Sequence, residues 1–160
     1  MNNLENLPVK YPAKVVLVDA ATQKVLVLRL EKNERKKRGI DEWHLPGGSF
    51  DESLDSSLED TAHREVLEET GLTMKIVKRI GVAARDAFYE GNKSHFEATF
   101  FHAELTQDPN DAVVDASEAD ELAWINGNDI ASYPALTREA KKYIPEVLSE
   151  YESFTGKDAE

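Results

Sequence analysis

Three glutamates, Glu65, Glu68 and Glu69, stand at i, i+3 and i+4 within Arg64-Glu65-Val66-Leu67-Glu68-Glu69-Thr70-Gly71-Leu72, and a glycine turn, Leu45-Pro46-Gly47-Gly48, precedes them. On a helix this spacing stacks the three carboxylates on one patch of surface. Each like-charged pair there costs roughly 0.2–0.5 kcal/mol, so a cation between them is the simplest reason for the cluster. Hard divalent ions such as Mg²⁺ or Mn²⁺ take carboxylate oxygens together with waters and substrate phosphates. The chemistry to expect is metal-assisted displacement at phosphorus, which asks for charge neutralisation, a positioned water and an in-line approach. Arg64, four residues before Glu68, can hold a carboxylate through a forked hydrogen bond.

Such a patch must ride on a helix with a buried stripe. Leu58, Ala62 and Val66 recur every four residues, predicting an amphipathic helix over 55–70 with Gly71 as its C-cap. Upstream, the β-branched runs 13–19 and 24–30 flank a polar turn, 20–23, and predict neighbouring strands. Residues 31–42 read as a charged loop. Its cations Lys32, Arg35, Lys36, Lys37 and Arg38 are taken as solvated rather than as an attraction for phosphate. After the helix come strands over 73–84 and 94–105, the second with Phe96, Ala98, Phe100 and His102 on one face and Glu97, Thr99, Phe101 and Ala103 on the other. An acidic loop (106–120), a short strand (122–125), a turn (126–129) and a second helix over 137–151, striped by Leu136, Ala140, Ile144 and Leu148, complete the order. Without regular βα alternation, the expected class is α/β with a mixed sheet between helices. One domain over 1–152 is expected, with a fraying tail, 153–160.

With 31 acids against 19 bases the net charge is −12, which disfavours stable nucleic-acid binding and anionic membranes. No cysteine is present, so disulfides and thiolate metal sites are excluded, and the four histidines show no zinc-ligand spacing. The chain has neither a run of eighteen apolar residues nor the start of a signal peptide, and the cytoplasm is the expected compartment. The sequence leaves a homodimer open.

Pro46-Gly47-Gly48 followed by Arg64 to Leu72 resembles the signature box of the Nudix hydrolases, whose second half it matches at every fixed position. The resemblance spans residues 13–148, because the leading strand hairpin, the helix ending in the box, the strand with paired Phe and the segment Glu121-Leu122-Ala123-Trp124-Ile125 come in the family's order. It implies an α/β/α sandwich that hydrolyses a nucleoside diphosphate linked to another group, with Mg²⁺ or Mn²⁺ held by the box. By position, Glu65, Glu68 and Glu69 become metal-binding acids, Gly47 or Gly48 offers a carbonyl, and Arg64, Glu65 and Glu68 join the catalytic machinery.

The interval from Gly48 to Arg64 is two residues longer than in the family, with Asp55-Ser56 where a Gly-Glu pair is expected. Asp51, Glu52 or Asp55 could replace the missing charge, and Ser56 is read as the helix N-cap. The family's general base comes from the box or from a later loop, where Glu118 and Glu121 are candidates against an ordinary acidic surface. Tyr89, seventeen residues after Leu72, resembles the tyrosine of diadenosine-polyphosphate-cleaving members, and Phe88 beside it could stack on a base. Trp43 either lines the base pocket or anchors the core, and His44 is read as structural. The proline of ADP-ribose-cleaving members is absent, Asp86 and Ala87 occupying its neighbourhood. The expected function is Mg²⁺-dependent hydrolysis of a phosphoanhydride in a nucleoside triphosphate or related nucleotide, a small-molecule substrate. Competing readings are a dinucleoside polyphosphate hydrolase and a catalytically silent nucleotide-binding module.

Overall fold

The Val- and Leu-rich runs become the centre of a mixed eight-stranded sheet in the computed structural model, which describes residues 7–89 and 91–159, with residues 89 and 152–159 described by backbone alone. The strands are β1 (Val9–Lys10), β2 (Pro12–Asp19), β3 (Lys24–Leu30), β4 (Trp43–His44), β5 (Gly47–Ser49), β6 (Met74–Tyr89), β7 (Asn92–Leu105) and β8 (Ala119–Ile125). The helices are α1 (Lys32–Arg38), α2 (Leu58–Thr70) and α3 (Arg138–Ala159).

One detail of strand pairing creates the site. β2 and β3 pair only at Val18–Val25 and Asp19–Lys24 and then part. β2 continues against β5, pairing Ala13 with Gly48 and Lys14 with Gly47, while β3 continues against β4 and, along its other edge, β8. The sheet therefore opens into two leaves at the end where the glycine turn crosses. β7 backs the first leaf, running parallel to β1 and β2 on one edge and antiparallel to β6 on the other.

Period-two alternation divides the core between the two faces. Ala13, Val15, Leu17, Leu26, Leu28, Phe101 and Ala103 pack with Ala62 and Val66 of α2. Val16, Val18, Val25, Val27 and Phe100 pack with Ala140, Tyr143, Ile144 and Leu148 of α3. The layers are thus helix, sheet, helix, as expected, and both faces of β7 are buried from Phe100 to Ala103.

Several boundaries differ from the sequence reading. The charged loop contains α1, a helix with no buried residue, which Glu31 caps by accepting from the Asn33 and Glu34 amides and Gly39 ends in the left-handed conformation. With no apolar period to mark it, the helix rests on its caps and on exposed pairs such as Glu34–Arg38, 3.5 Å apart. α2 begins at Leu58 rather than 55, and its N-cap is Ser57, not Ser56: the Ser57 hydroxyl accepts from the Asp60 amide at 3.1 Å. β6 runs on to Tyr89 and β8 begins at Ala119, each longer than expected because ladder pairing extends past the apolar pattern. The tail read as fraying lies outside the described side chains.

Candidate functional site

The lengthened loop before α2 folds around one buried acid. Asp55, whose side chain is 1% exposed, receives both arms of the Arg64 guanidinium, Nε to Oδ1 and Nη2 to Oδ2, at 2.8 Å each. The Thr61 hydroxyl and the Asp51 amide donate to the same carboxylate, at 2.9 and 3.0 Å. Arg64 holds the Asp55 carboxyl far below its ordinary range, against the opposing effect of burial. Of the three acids available to replace the missing charge, Asp55 is the one that meets Arg64. The same guanidinium reaches Glu65 at 2.9 Å, Glu68 at 3.3 Å and the Ser49 carbonyl at 3.3 Å. Arg64 therefore ties loop, glycine turn and box together.

The three box glutamates have unequal surroundings. Glu68 is exposed, Glu65 is half-buried and Glu69 is buried. Glu69 Oε1 accepts from the Gly47 amide at 2.8 Å, which Gly47 can offer because its φ of 143° belongs to glycine and its Cα lies against the Ala13 carbonyl. The Glu65 carboxylate rests on the Cα of Gly48, where a Cβ would overlap it. Burial pushes Glu69 up to about 7; Lys14 and the Gly47 amide oppose this, and Glu65 and Glu118 add to it. Burial also raises Glu65, against Arg64, with Glu68 and Glu118 adding to the rise.

Glu118 faces this cluster because its loop is tied to the end of α2. The Val113 amide donates to the Thr70 carbonyl at 2.9 Å, the Asp115 amide to the Glu69 carbonyl at 3.0 Å, and the Glu118 amide to the Asp115 carbonyl at 2.9 Å. Glu121 is elsewhere. It sits in β8 opposite Arg29 and pairs with that guanidinium at 3.2 Å.

Beside the cluster lies a cavity of about 480 Å³ on the α3 side of the sheet. Its floor includes Ala83, Phe96, Ala98 and Phe100, and its walls carry the basic or ring side chains of Lys14, His44, Arg38, Arg85 and Arg138 and the acids Glu42 and Glu139. Lys14 joins the two regions, since it lines the cavity and lies close enough to Glu69 to pull that acid down. Burial, with Lys14 and Arg38 nearby, depresses His44 to about 4, although its ring is hydrogen-bonded to the Leu45 carbonyl at 3.0 Å, so the imidazole is neutral at pH 7. Trp43 is placed edge-on to Tyr133, centroids 5.0 Å apart, and packs against the α3-side core rather than lining this cavity. The Tyr89 side chain lies outside the described residues, and Phe88 is 76% exposed. The sequence reading passed over Lys14, Arg85 and Arg138. Lys14 left a signal there, being the one charged residue inside the apolar run 13–18.

Among the described residues no three His, Asp or Glu side chains converge as a ready metal-binding group, because Glu69 is turned to the Gly47 amide and Glu65 to Arg64. The donor chemistry nevertheless fits a hard divalent cation. Every side-chain donor is a carboxylate oxygen, and Glu69, buried, and Glu65, half-buried, are raised chiefly by burial with neighbouring acids adding to it, which a bound cation would offset. Also among the described residues, no helix is long and apolar enough to cross a membrane.

Comparison with known proteins gives a family from the sequence and a matching fold from solved structures. A NUDIX domain family model matches residues 10–147. A Bacillus subtilis (strain 168) protein provisionally named an 8-oxo-dGTP diphosphatase is 31% identical over 109 residues, which span 66% of this chain and 66% of that relative. The MutT protein of Methanosarcina mazei Go1 superposes with a TM-score of 0.64 at 23% identity, covering 93% of this chain and 96% of that one. The NUDIX domain of Shewanella oneidensis NrtR, solved with ADP ribose, gives 0.65 at 20% identity, covering 88% and 86%. A C. elegans Ap4A hydrolase gives 0.60 at 18% identity, covering 92% and 98%.

Proposed function

The chain belongs to the Nudix family, and from that premise we propose that it is a pyrophosphohydrolase dependent on Mg²⁺ or Mn²⁺. It cleaves a phosphoanhydride of a nucleoside triphosphate, or of another nucleoside diphosphate derivative, by attack of water at phosphorus. The observation that carries this reading is the run of Glu65, Glu68 and Glu69 on α2, with Glu69 on the Gly47 amide, Glu65 against Gly48 and Glu118 near enough to raise both, beside a cavity lined by Lys14, Arg38, Arg85 and Arg138 together with Glu42 and Glu139. We place it in the cytoplasm as a single domain over residues 1–152.

Nudix hydrolases generally need divalent metal ions. When bound, the ion neutralises phosphate charge and lowers the pKa of a bound water. Glu65, Glu68 and Glu69 would hold it, with the Gly48 carbonyl as a further oxygen. Arg64, fixed by Asp55, is a positioning residue that keeps Glu65 and Glu68 in reach. Glu118 takes the proton of the attacking water. Its exposed place on a turn anchored to α2 favours it over Glu121, which is engaged by Arg29. Lys14 meets phosphate where the cavity joins the cluster, and the apolar floor takes the nucleoside. Trp43 would act on substrate only through the wall that His44 presents, and Tyr89, at the end of β6, is kept as a contact for a base.

Within the nucleotide class, the name of the B. subtilis relative favours a purine triphosphate oxidised on the base. The test is incubation with triphosphates, oxidised triphosphates, dinucleoside polyphosphates, ADP-ribose and sugar nucleotides in Mg²⁺ or Mn²⁺, with products identified. Hydrolysis of an oxidised purine triphosphate to its monophosphate is expected, with Glu68→Gln and Glu69→Gln each losing about 100-fold or more in kcat while melting as the parent does. Nucleotide binding with no turnover on the whole panel would overturn the enzyme in favour of a silent module.

A further inference from the structure

Among the described residues, the two arginines for which no carboxylate lies in ion-pair range both line the cavity. The chain has seven arginines, and with 31 acids to serve them pairing is the default. Arg29 pairs with Asp41 at 2.7 Å, Arg35 with Asp120 at 2.6 Å, Arg64 with Asp55 at 2.8 Å and Arg79 with Glu59 at 2.9 Å. Arg38 lies 3.5 Å from Glu34 and 3.6 Å from Glu42. Among the described residues, Arg85 and Arg138 have no such partner, and they reach one cavity from β6 and from the start of α3. A guanidinium with no carboxylate keeps its planar fork of donors free, and that fork matches phosphate.

We propose that Arg85 and Arg138 form a phosphate clamp, which takes a further phosphate on substrates that carry one in addition to the phosphoanhydride attacked at the glutamates. The clamp rests on the hydrolase reading for its partner reaction, and it extends the substrates of that reading to nucleotides with an extra phosphate. Lys14 marks the direction, since it stands where the cavity meets Glu69 while the two arginines belong to other walls. The additional phosphate has two sources of the same chemistry: a longer polyphosphate chain, or a phosphomonoester on the nucleoside.

The first arm of the test is calorimetric binding of inorganic tripolyphosphate to the full chain in EDTA, free of catalysis. Arg85→Gln and Arg138→Gln should each weaken binding about tenfold or more, the loss of a charge-assisted contact, while Lys75→Gln, exposed on β6 away from the cavity, binds as the parent does. Unchanged binding in both arginine variants, or no binding by the parent, overturns the clamp. The second arm compares kcat/KM, with metal, for a nucleoside triphosphate, a nucleoside tetraphosphate and a 3′-phosphorylated nucleoside diphosphate. A loss in the arginine variants confined to one of the last two supports the clamp and identifies the source of the phosphate; equal losses on all three overturn it. If no substrate turns over while tripolyphosphate binding still depends on both arginines, the hydrolase reading falls and the clamp stands.

Discussion

At the scale of single residues, chemistry hangs on contacts too short to admit a methyl group. Gly48 is required because the Glu65 carboxylate lies on its Cα, and the obstruction in Gly48→Ala is the end of a flexible side chain rather than backbone. Gly48→Ala should therefore fold with a melting temperature near that of the parent yet lose kcat by about 10-fold or more, as Glu65 swings off the cluster. Gly47→Ala is different, since the new Cβ would run into the Ala13 backbone at a φ of 143°, and that variant should lose stability as well. Two glutamates in one stretch of chain make a sharper comparison. Glu118→Gln should lower kcat by about 10²-fold or more, as removal of a general base does. Glu121→Gln gives up only an exposed pair with Arg29 and should leave kcat within about twofold. Equal effects in steady-state kinetics would remove Glu118 from the mechanism.

Among the elements, α3 makes a contact with β6 that tolerates little change. The Tyr143 hydroxyl sits where a Cβ on Gly81 would fall, and the tyrosine ring is buried against Phe100, centroids 4.8 Å apart. A rigid ring pinned on two sides cannot turn away. Gly81→Ala should cost about 1–3 kcal/mol through overpacking, read as a lower urea midpoint with unchanged slope. Because Arg138, the first residue of that helix, and Thr137 just before it carry one cavity wall, a displaced α3 should also raise KM more than it lowers kcat. If the variant is as stable as the parent, Tyr143 is not the anchor of α3. By contrast α1 buries nothing, and replacing its cap with Glu31→Ala should leave the global midpoint within about 1 kcal/mol while α1 itself loses amide protection.

For the whole molecule, how much could be read from sequence depended on how local each feature was. The acid triplet and the stripe Leu58, Ala62, Val66 lie within one helix, so periodicity revealed both the clustering of the acids on α2 and the layer against which that helix packs. The parting of β2 from β3 could not be read that way, because it rests on a register of two residue pairs and on β5, a strand of three residues without β-branched character. Arg85 and Arg138 are far apart in sequence and meet at one cavity only through the sheet and α3, while the apolar pattern says nothing of α1, which buries no side chain. The loop before α2 is the mixed case, because its altered length and missing Glu were legible but its answer, a buried Asp55 forked by Arg64, depends on tertiary closure. That closure gives the molecule a specific acid sensitivity. The folded Asp55 pKa is depressed below its ordinary 3.8, so its stabilising contribution is complete above that value and disappears as pH falls through the lower folded value. Glu65 and Glu69 are raised and act in the opposite sense, so the parent's pH curve alone would mix the effects, whereas the difference from Asp55→Asn isolates one group. Asp55→Asn should be less stable by about 3 kcal/mol near neutral pH, because it leaves a partly buried guanidinium without its main partner. The gap should hold from pH 7 to about 5 and close progressively below about 4, measured by urea unfolding at each pH. A gap that stays constant down to pH 2.5 would mean that the fork contributes shape rather than charge.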